Sequence, residues 1–137
     1  MNQTKYKIGF TQGTFDMFHI GHLNILNSAK KQCEYLIVGV NSDELVKEYK
    51  KKIPVICESE RLEIIRNIKA VDEVVLTGTL DKVEAWNNCH FNAIFIGDDW
   101  KGKFDFLAEE GVEVVYLPRT PEISTTQIKN DLENKIL

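Results

Sequence analysis

Apolar residues along the chain gather into short runs of strand length: Tyr6–Thr11, Tyr35–Val40, Glu73–Thr77, Ala93–Gly97 and Val112–Leu117. The runs are rich in Val, Ile, Phe and Tyr. Several are near-continuous rather than alternating, the pattern of strands covered on both faces of a parallel sheet. Between them the pattern predicts helices over Gly21–Cys33, Ser59–Ile68, Leu80–Cys89 and Phe104–Glu110, with a last helix over Ser124–Lys135. Two helix starts carry signals. Ser59 sits beside Glu58 and ahead of an apolar face of Ile64, Ile65 and Ile68, and Ser124 is followed three positions on by Gln127, a capping-box pattern. Strands alternating with helices make right-handed βαβ units, so the expected fold is α/β, a three-layer doubly wound parallel sheet. In such sheets ligands bind beyond the carboxyl ends of the strands, which directs attention to the loops that follow them.

Composition narrows this picture. At 137 residues, with no repeat, low-complexity tract or linker, the chain reads as one domain spanning residues 1–137. A hydrophobic share of 43% can fill a core, and 28% charged residues exclude a membrane-embedded or disordered class. The net charge of -4 argues against non-specific nucleic-acid binding, which depends on basic surfaces. Any phosphate ligand must meet positive groups placed locally. Cys33, Cys57 and Cys89 are odd in number, widely spaced and form no CxxC, so they read as buried or half-buried thiols of a reducing compartment. The first ten residues hold too short an apolar run for a signal peptide, no stretch approaches the length of a membrane span, and the cytoplasm is the expected location.

The first strand runs into Thr11-Gln12-Gly13-Thr14-Phe15-Asp16-Met17-Phe18-His19-Ile20-Gly21-His22. Gly13 allows a tight turn and a close approach of phosphate to the backbone. A helix starting near Ile20 would project His19 and His22, three positions apart, from one side of its first turn. Helix N-termini present unpaired N–H groups and partial positive charge to anions. Gly21 leaves room for a flat ligand against the backbone. Imidazoles there can donate hydrogen bonds to a phosphate whose charge grows in a transition state. Two unrelated helix-start histidines, or half of a metal site, fit the same spacing. A metal would need a third ligand, and His90, the remaining histidine, belongs to a different βα unit.

The run Gly13-Thr14-Phe15-Asp16 followed by His19-Ile20-Gly21-His22 resembles the signature of the HIGH-motif nucleotidyltransferases, which have a Rossmann-like fold. Its GTFD form in a short chain is similar to the cytidylyltransferases. Gly97-Asp98-Asp99-Trp100 with the following Lys103-Phe104-Asp105-Phe106 resembles the glycerol-3-phosphate branch, as does Arg119-Thr120-Pro121-Glu122-Ile123-Ser124-Thr125-Thr126. The likeness runs from Phe10 to about Lys129.

The resemblance implies a set of roles. Thr11, Gly13, Thr14, Phe15, Asp16, Gly21, Asp99, Thr120, Ile123, Ser124 and Thr125 would surround the nucleotide. His19, His22, Lys51 and Arg119 would be catalytic, with Lys47, Lys50 and Lys52 as neighbours of Lys51. Arg61, Lys69 and Trp100 would contact the acceptor substrate. Lys69-Ala70 stands where the family often has Arg-Tyr, and lysine there keeps the charge but loses the bidentate fork. Pro121-Glu122 replaces the commoner Glu-Gly and should stiffen that loop. The implied reaction is cytidylyl transfer from CTP to a small phosphorylated alcohol, glycerol 3-phosphate foremost. Ethanolamine phosphate, choline phosphate or a related phosphate or phosphonate stands second, and a non-catalytic nucleotide-binding module is the reading from another class. Mg²⁺ or another divalent cation is the expected cofactor, with no assigned ligands, although Asp16 could help carry it or orient a histidine. A homodimer is also expected, with Val71–Val74 as a contact.

Overall fold

The computed structural model describes residues 5–97, 101–118 and 125–134. Along the chain come β1 (Tyr6–Gly13), α1 (Ile20–Lys30), β2 (Cys33–Asn41), α2 (Asp43–Lys50), α3 (Glu58–Arg66), β3 (Glu73–Thr77), α4 (Lys82–Cys89), β4 (Ala93–Gly97), a 3₁₀ turn (Asp105–Glu110), β5 (Glu113–Leu117) and α5 (Thr125–Asn134). The five strands form one sheet in the order β3-β2-β1-β4-β5, and every pairing is parallel. From β1 the chain winds outward through β2 and β3, then returns to the other side of β1 for β4 and β5. The reversal puts the topological switch point between β1 and β4, whose carboxyl ends are Gly13 and Gly97.

Both sheet faces are covered, which is why the strand runs are continuous. Leu36, Val38 and Val40 of β2 join Leu26, Ile65, Ala93 and Phe95 in one cluster beneath α1 and α3. Phe10, Ile37 and Ile94 pack with Ala85, Phe91 and Leu107 beneath α4 and the 3₁₀ turn. Gly9 lets β1 sit tightly between its neighbours, because a Cβ there would come within 2.6 Å of Phe95 and 2.8 Å of Cys33 Sγ.

Several boundaries differ from expectation for physical reasons. Helix α2 is an addition to the expected helices: Ser42 caps it by accepting from the Leu45 N–H, and Leu45 and Val46 are buried. Helix α3 begins at Glu58 rather than at Ser59. The reason is long-range: Glu58 Oε1 accepts from the Asp43 N–H at 2.9 Å, and Asp43 Oδ2 accepts from the Glu58 N–H at 3.2 Å, so α2 and α3 cap each other. Residue 33 begins β2 instead of ending α1, and Phe104–Glu110 is largely a 3₁₀ turn. Cys57 is exposed, not buried.

Candidate active site

The turn after β1 makes its bend at Phe15 and Met17, with φ of 55° and 48°. Gly13 has no positive φ; it is small because a Cβ would come 3.1 Å from the Phe15 ring. Two L-residues in the left-handed region cost roughly 1–2 kcal/mol each. Between them Asp16, 5% exposed, is turned inward. Its Oδ2 accepts from the Val55 N–H at 2.8 Å and its Oδ1 from the Ile56 N–H at 2.9 Å.

His19 is the N-cap of α1 and His22 is its third residue. His19 Nδ1 accepts from the Gly21 N–H at 3.0 Å, and His22 Nδ1 accepts from the His19 N–H at 3.2 Å. The histidines thus form a capping box in place of the usual Ser and Glu. Their rings stack with centroids 3.9 Å apart, and His22 also meets Phe15 and Phe18, each at 5.4 Å. Because both Nδ1 atoms accept, the proton of each neutral ring is assigned to Nε2. Burial lowers the pKa of His19. Burial, with the neighbouring His19 next in weight, pushes His22 down to about 4 against the opposing pull of Asp16. Both rings are therefore neutral donors at pH 7. Among the described residues the buried His19 Nε2 has no hydrogen-bond partner, and a buried donor of this kind calls for an acceptor.

Beside this pair a pocket of about 810 Å³ opens at the carboxyl ends of β1 and β4. Thr11, Gly13, Thr14, Phe15, Asp16 and His22 form one wall. Thr11 Oγ1 itself is tied across the switch point, donating to the Phe95 carbonyl at 2.9 Å. Lys50 and Lys52 stand on the α2 side, and Asn130 and Glu133 of α5 complete the rim, so the last helix faces the same pocket as α1. Lys51, exposed and in the left-handed C-cap conformation with φ 58°, is not on the wall. Its neighbours Lys50 and Lys52 line the pocket in its place.

Lys82 is a pocket cation that sequence reasoning missed. Burial lowers its pKa to about 8, opposed by Asp81. Its ammonium donates to Gln12 Oε1 at 2.9 Å. Gln12 in turn donates to Asn41 Oδ1 at 2.8 Å and to the Thr79 carbonyl at 2.9 Å. Asn41 Nδ2 lies 3.2 Å from Thr14 Oγ1 and 3.3 Å from the Tyr49 hydroxyl. This polar network lines the wall that spans β1, β2 and the start of α4. A lysine at the start of the helix after a strand was the available signal.

Two expected substrate contacts lie away from the pocket. Arg61 is 0% exposed. It donates to the carbonyls of Ile56 (2.8 Å), Thr14 (2.8 Å) and Asn41 (2.7 Å) and to Asp43 Oδ1 (2.5 Å), so it braces the wall from behind. Lys69 is exposed in the turn before β3, at the amino ends of the strands and so at the opposite edge of the sheet from the pocket. Asp99, Trp100, Arg119, Thr120, Ile123 and Ser124 lie outside the described residues, as does the side chain of Thr125. Gly21 is buried in the first turn of α1, its N–H held by His19.

The cytidylyltransferase-like family profile matches residues 10–131. The glycerol-3-phosphate cytidylyltransferase of Bacillus spizizenii is 46% identical over 123 residues, 89% of this chain and 94% of that protein. The enzyme of the same name from Staphylococcus aureus is 36% identical over 91% of this chain and 94% of its own length. Among solved structures, a lipopolysaccharide core biosynthesis protein from Thermoplasma volcanium superposes with a TM-score of 0.69 at 26% identity, covering 84% of this chain and 97% of that one. A pantothenate synthetase from Thermus thermophilus shares the fold, with a TM-score of 0.64 at 16% identity, over 91% of this chain and 65% of its own.

Proposed function

The chain belongs to the cytidylyltransferase-like family and is a nucleotidyltransferase; from that premise we propose that it transfers the cytidylyl group of CTP to glycerol 3-phosphate, giving CDP-glycerol and pyrophosphate. The observation that carries this reading is the stacked, neutral histidine pair at the start of α1. Each ring has its Nδ1 occupied by backbone; His19 Nε2–H is left without a partner among the described residues, and His22 lines the pocket.

A phosphate oxygen of glycerol 3-phosphate attacks the α-phosphorus of CTP in line. The new P–O bond forms as the bond to the bridging oxygen of the β-phosphate breaks, and pyrophosphate leaves with that electron pair. A phosphate monoester has its second pKa at about 6, so the nucleophile is already ionised near neutral pH and needs no strong base. Charge growing on the α-phosphoryl oxygens meets the imidazole Nε2–H donors and the N-terminus of α1. Lys50 and Lys52 are available to the β- and γ-phosphates, with Arg119, Ser124 and Thr125 as further partners by family likeness. Lys82, at the far wall beside Gln12, is available to the acceptor phosphate.

Mg²⁺ enters with CTP in this reading. Among the described residues no three His, Cys, Asp or Glu side chains converge on a metal position, and the carboxylate of Asp16 is taken by backbone N–H groups. These residues build no cage of their own, and Mg²⁺ commonly travels on substrate phosphates. The reading also includes a homodimer through the edge strand β3, where Arg66 and Val71–Val74 line a groove of about 270 Å³. Sedimentation as a monomer at working concentration would remove that part. No helix among the described residues is long and apolar enough to cross a membrane. The cytoplasm, which supplies CTP, is the implied compartment.

The deciding experiment measures pyrophosphate release from CTP and Mg²⁺ with glycerol 3-phosphate, ethanolamine phosphate and choline phosphate in turn. Fastest release with glycerol 3-phosphate is expected. A flat trace with every acceptor would mean a nucleotide-binding module without transfer activity.

A further inference from the structure

We propose that Asp16 is a positioning residue whose buried carboxylate fixes residues 51–57 beside the pocket and thereby aims Lys52 at the triphosphate. The inference rests on the nucleotidyl-transfer reading above for its ligand, but its structural half stands alone.

Residues 51–57 have no regular secondary structure and little of their own to hold them down. The side chains of Ile53 and Val55 are 67% and 63% exposed, while Pro54 is buried and Ile56 half-buried, so apolar burial holds the segment only in part. The rest of its anchor is polar. The two consecutive N–H groups of Val55 and Ile56 both end on Asp16, one on each carboxylate oxygen, at 2.8 and 2.9 Å. The Ile56 carbonyl accepts from Arg61 Nε at 2.8 Å, and the same guanidinium reaches back to the Thr14 carbonyl at 2.8 Å. A buried acid and a buried base thus join the same two stretches, the turn after β1 and the segment carrying Lys52. The left-handed backbone at Phe15 and Met17 is what turns Asp16 inward to make this contact.

The consequence is geometric. Histidines and lysines lie on separate elements, α1 on one side and the end of α2 with its following segment on the other. They must be held at a fixed span to grip the α-phosphate and the β/γ-phosphates of one ligand. Charge-assisted hydrogen bonds from a carboxylate to backbone N–H groups are short and directional, which suits that task better than packing. Asp16 also acts electrostatically on His22, raising its pKa. A role through the histidine is therefore the competing account, and the test must separate the two.

Asp16→Asn keeps shape and volume but sets an NH₂ group against one backbone N–H. With the full-length protein, amide hydrogen exchange across residues 51–57 should quicken about tenfold or more, the loss of one charge-assisted bond. The KM for CTP should rise by about tenfold, with a smaller loss in kcat and little change in the affinity for CMP, which lacks the β- and γ-phosphates. Val55→Pro removes a donor from the other partner without touching Asp16 and should raise the KM for CTP in the same way. It carries the test alone if the Asn variant fails to fold. Unchanged exchange in the Asn variant would overturn the proposal. So would faster exchange with an unchanged KM for CTP, or a loss confined to kcat with a shifted acid limb, the mark of action through His22. The exchange readout needs no turnover, so an inactive wild-type protein would sink the transferase reading while leaving the clamp independently measured.

Discussion

The imidazole of His22 lies against that of His19 with ring centroids 3.9 Å apart, and its Nδ1 is held by the His19 backbone N–H at 3.2 Å. Two like groups at this distance cannot both charge readily in a half-buried site, so the pair stays neutral and each ring offers one Nε2–H. Replacing either histidine by alanine should remove one donor from the transition state. The expected loss in kcat is about 10²–10³-fold, the usual cost of one such donor. The capping bond lost with it costs on the order of 1 kcal/mol of stability. Steady-state kinetics with CTP beside a thermal melt would separate the two effects, and wild-type turnover in either variant would remove the assigned role.

The same pair predicts how stability responds to acid. His22 has a pKa of about 4 in the folded protein against 6.5 in a model peptide. Between those values the unfolded chain binds the proton that the folded chain refuses, so the free energy of unfolding falls as pH drops from about 6.5 to about 4. Urea unfolding at pH 7 and pH 5 should show a lower midpoint at pH 5. His22→Gln should flatten part of that difference. A larger acid sensitivity in the variant would contradict the assigned protonation state.

How much of this was legible in the chain depends on whether the cause is local. Glu73–Thr77 and Ala93–Gly97 were readable to the residue, because apolar runs between turn signals need no distant partner. The histidine motif was readable because a helix start can be inferred from its own neighbours. Helix α2 was not, because only Leu45 and Val46 of its eight residues are buried and the lysines at its end imitate a loop. The start of α3 depends on Asp43, fifteen positions earlier. The brace made by Arg61 joins residues 14, 41, 43 and 56, and nothing in an isolated Glu-Arg pair foretells that. Lys82 gains its meaning from Gln12, on a strand seventy positions away.

The burial of Arg61 changes what its substitution should do. Arg61→Met leaves the Asp43 carboxylate and three backbone carbonyls without this partner. Asp43, a third exposed, can turn to water, but each backbone acceptor left unmet costs about 1–3 kcal/mol, which for a domain of this size lowers Tm by about 10 °C or more. Arg61→Lys should not rescue it, since a single ammonium cannot reach acceptors spread around a planar fork. Scanning calorimetry of both variants checks this. A normal Tm with a raised KM for the acceptor would restore the substrate-contact role that the structure argues against.

The lysines should divide by wall rather than by sequence run. Lys52→Ala should raise the KM for CTP by about tenfold, the worth of one charge-assisted phosphate contact. Lys51→Ala, between two pocket lysines but off the wall, should change it much less.

Lys82 carries the prediction that is most specific to this pocket. Burial holds its pKa near 8 in the free enzyme, so the ammonium needed to meet an acceptor phosphate is lost as pH rises through that value. The ratio kcat/KM for glycerol 3-phosphate reports free-enzyme ionisations and should fall on the alkaline side of about pH 8. Lys82→Met keeps the volume and removes the charge. It should lower kcat/KM for the acceptor at pH 7 by about tenfold and abolish the alkaline limb. An unchanged alkaline limb in that variant would assign the titration to another group and leave Lys82 a buried support for Gln12.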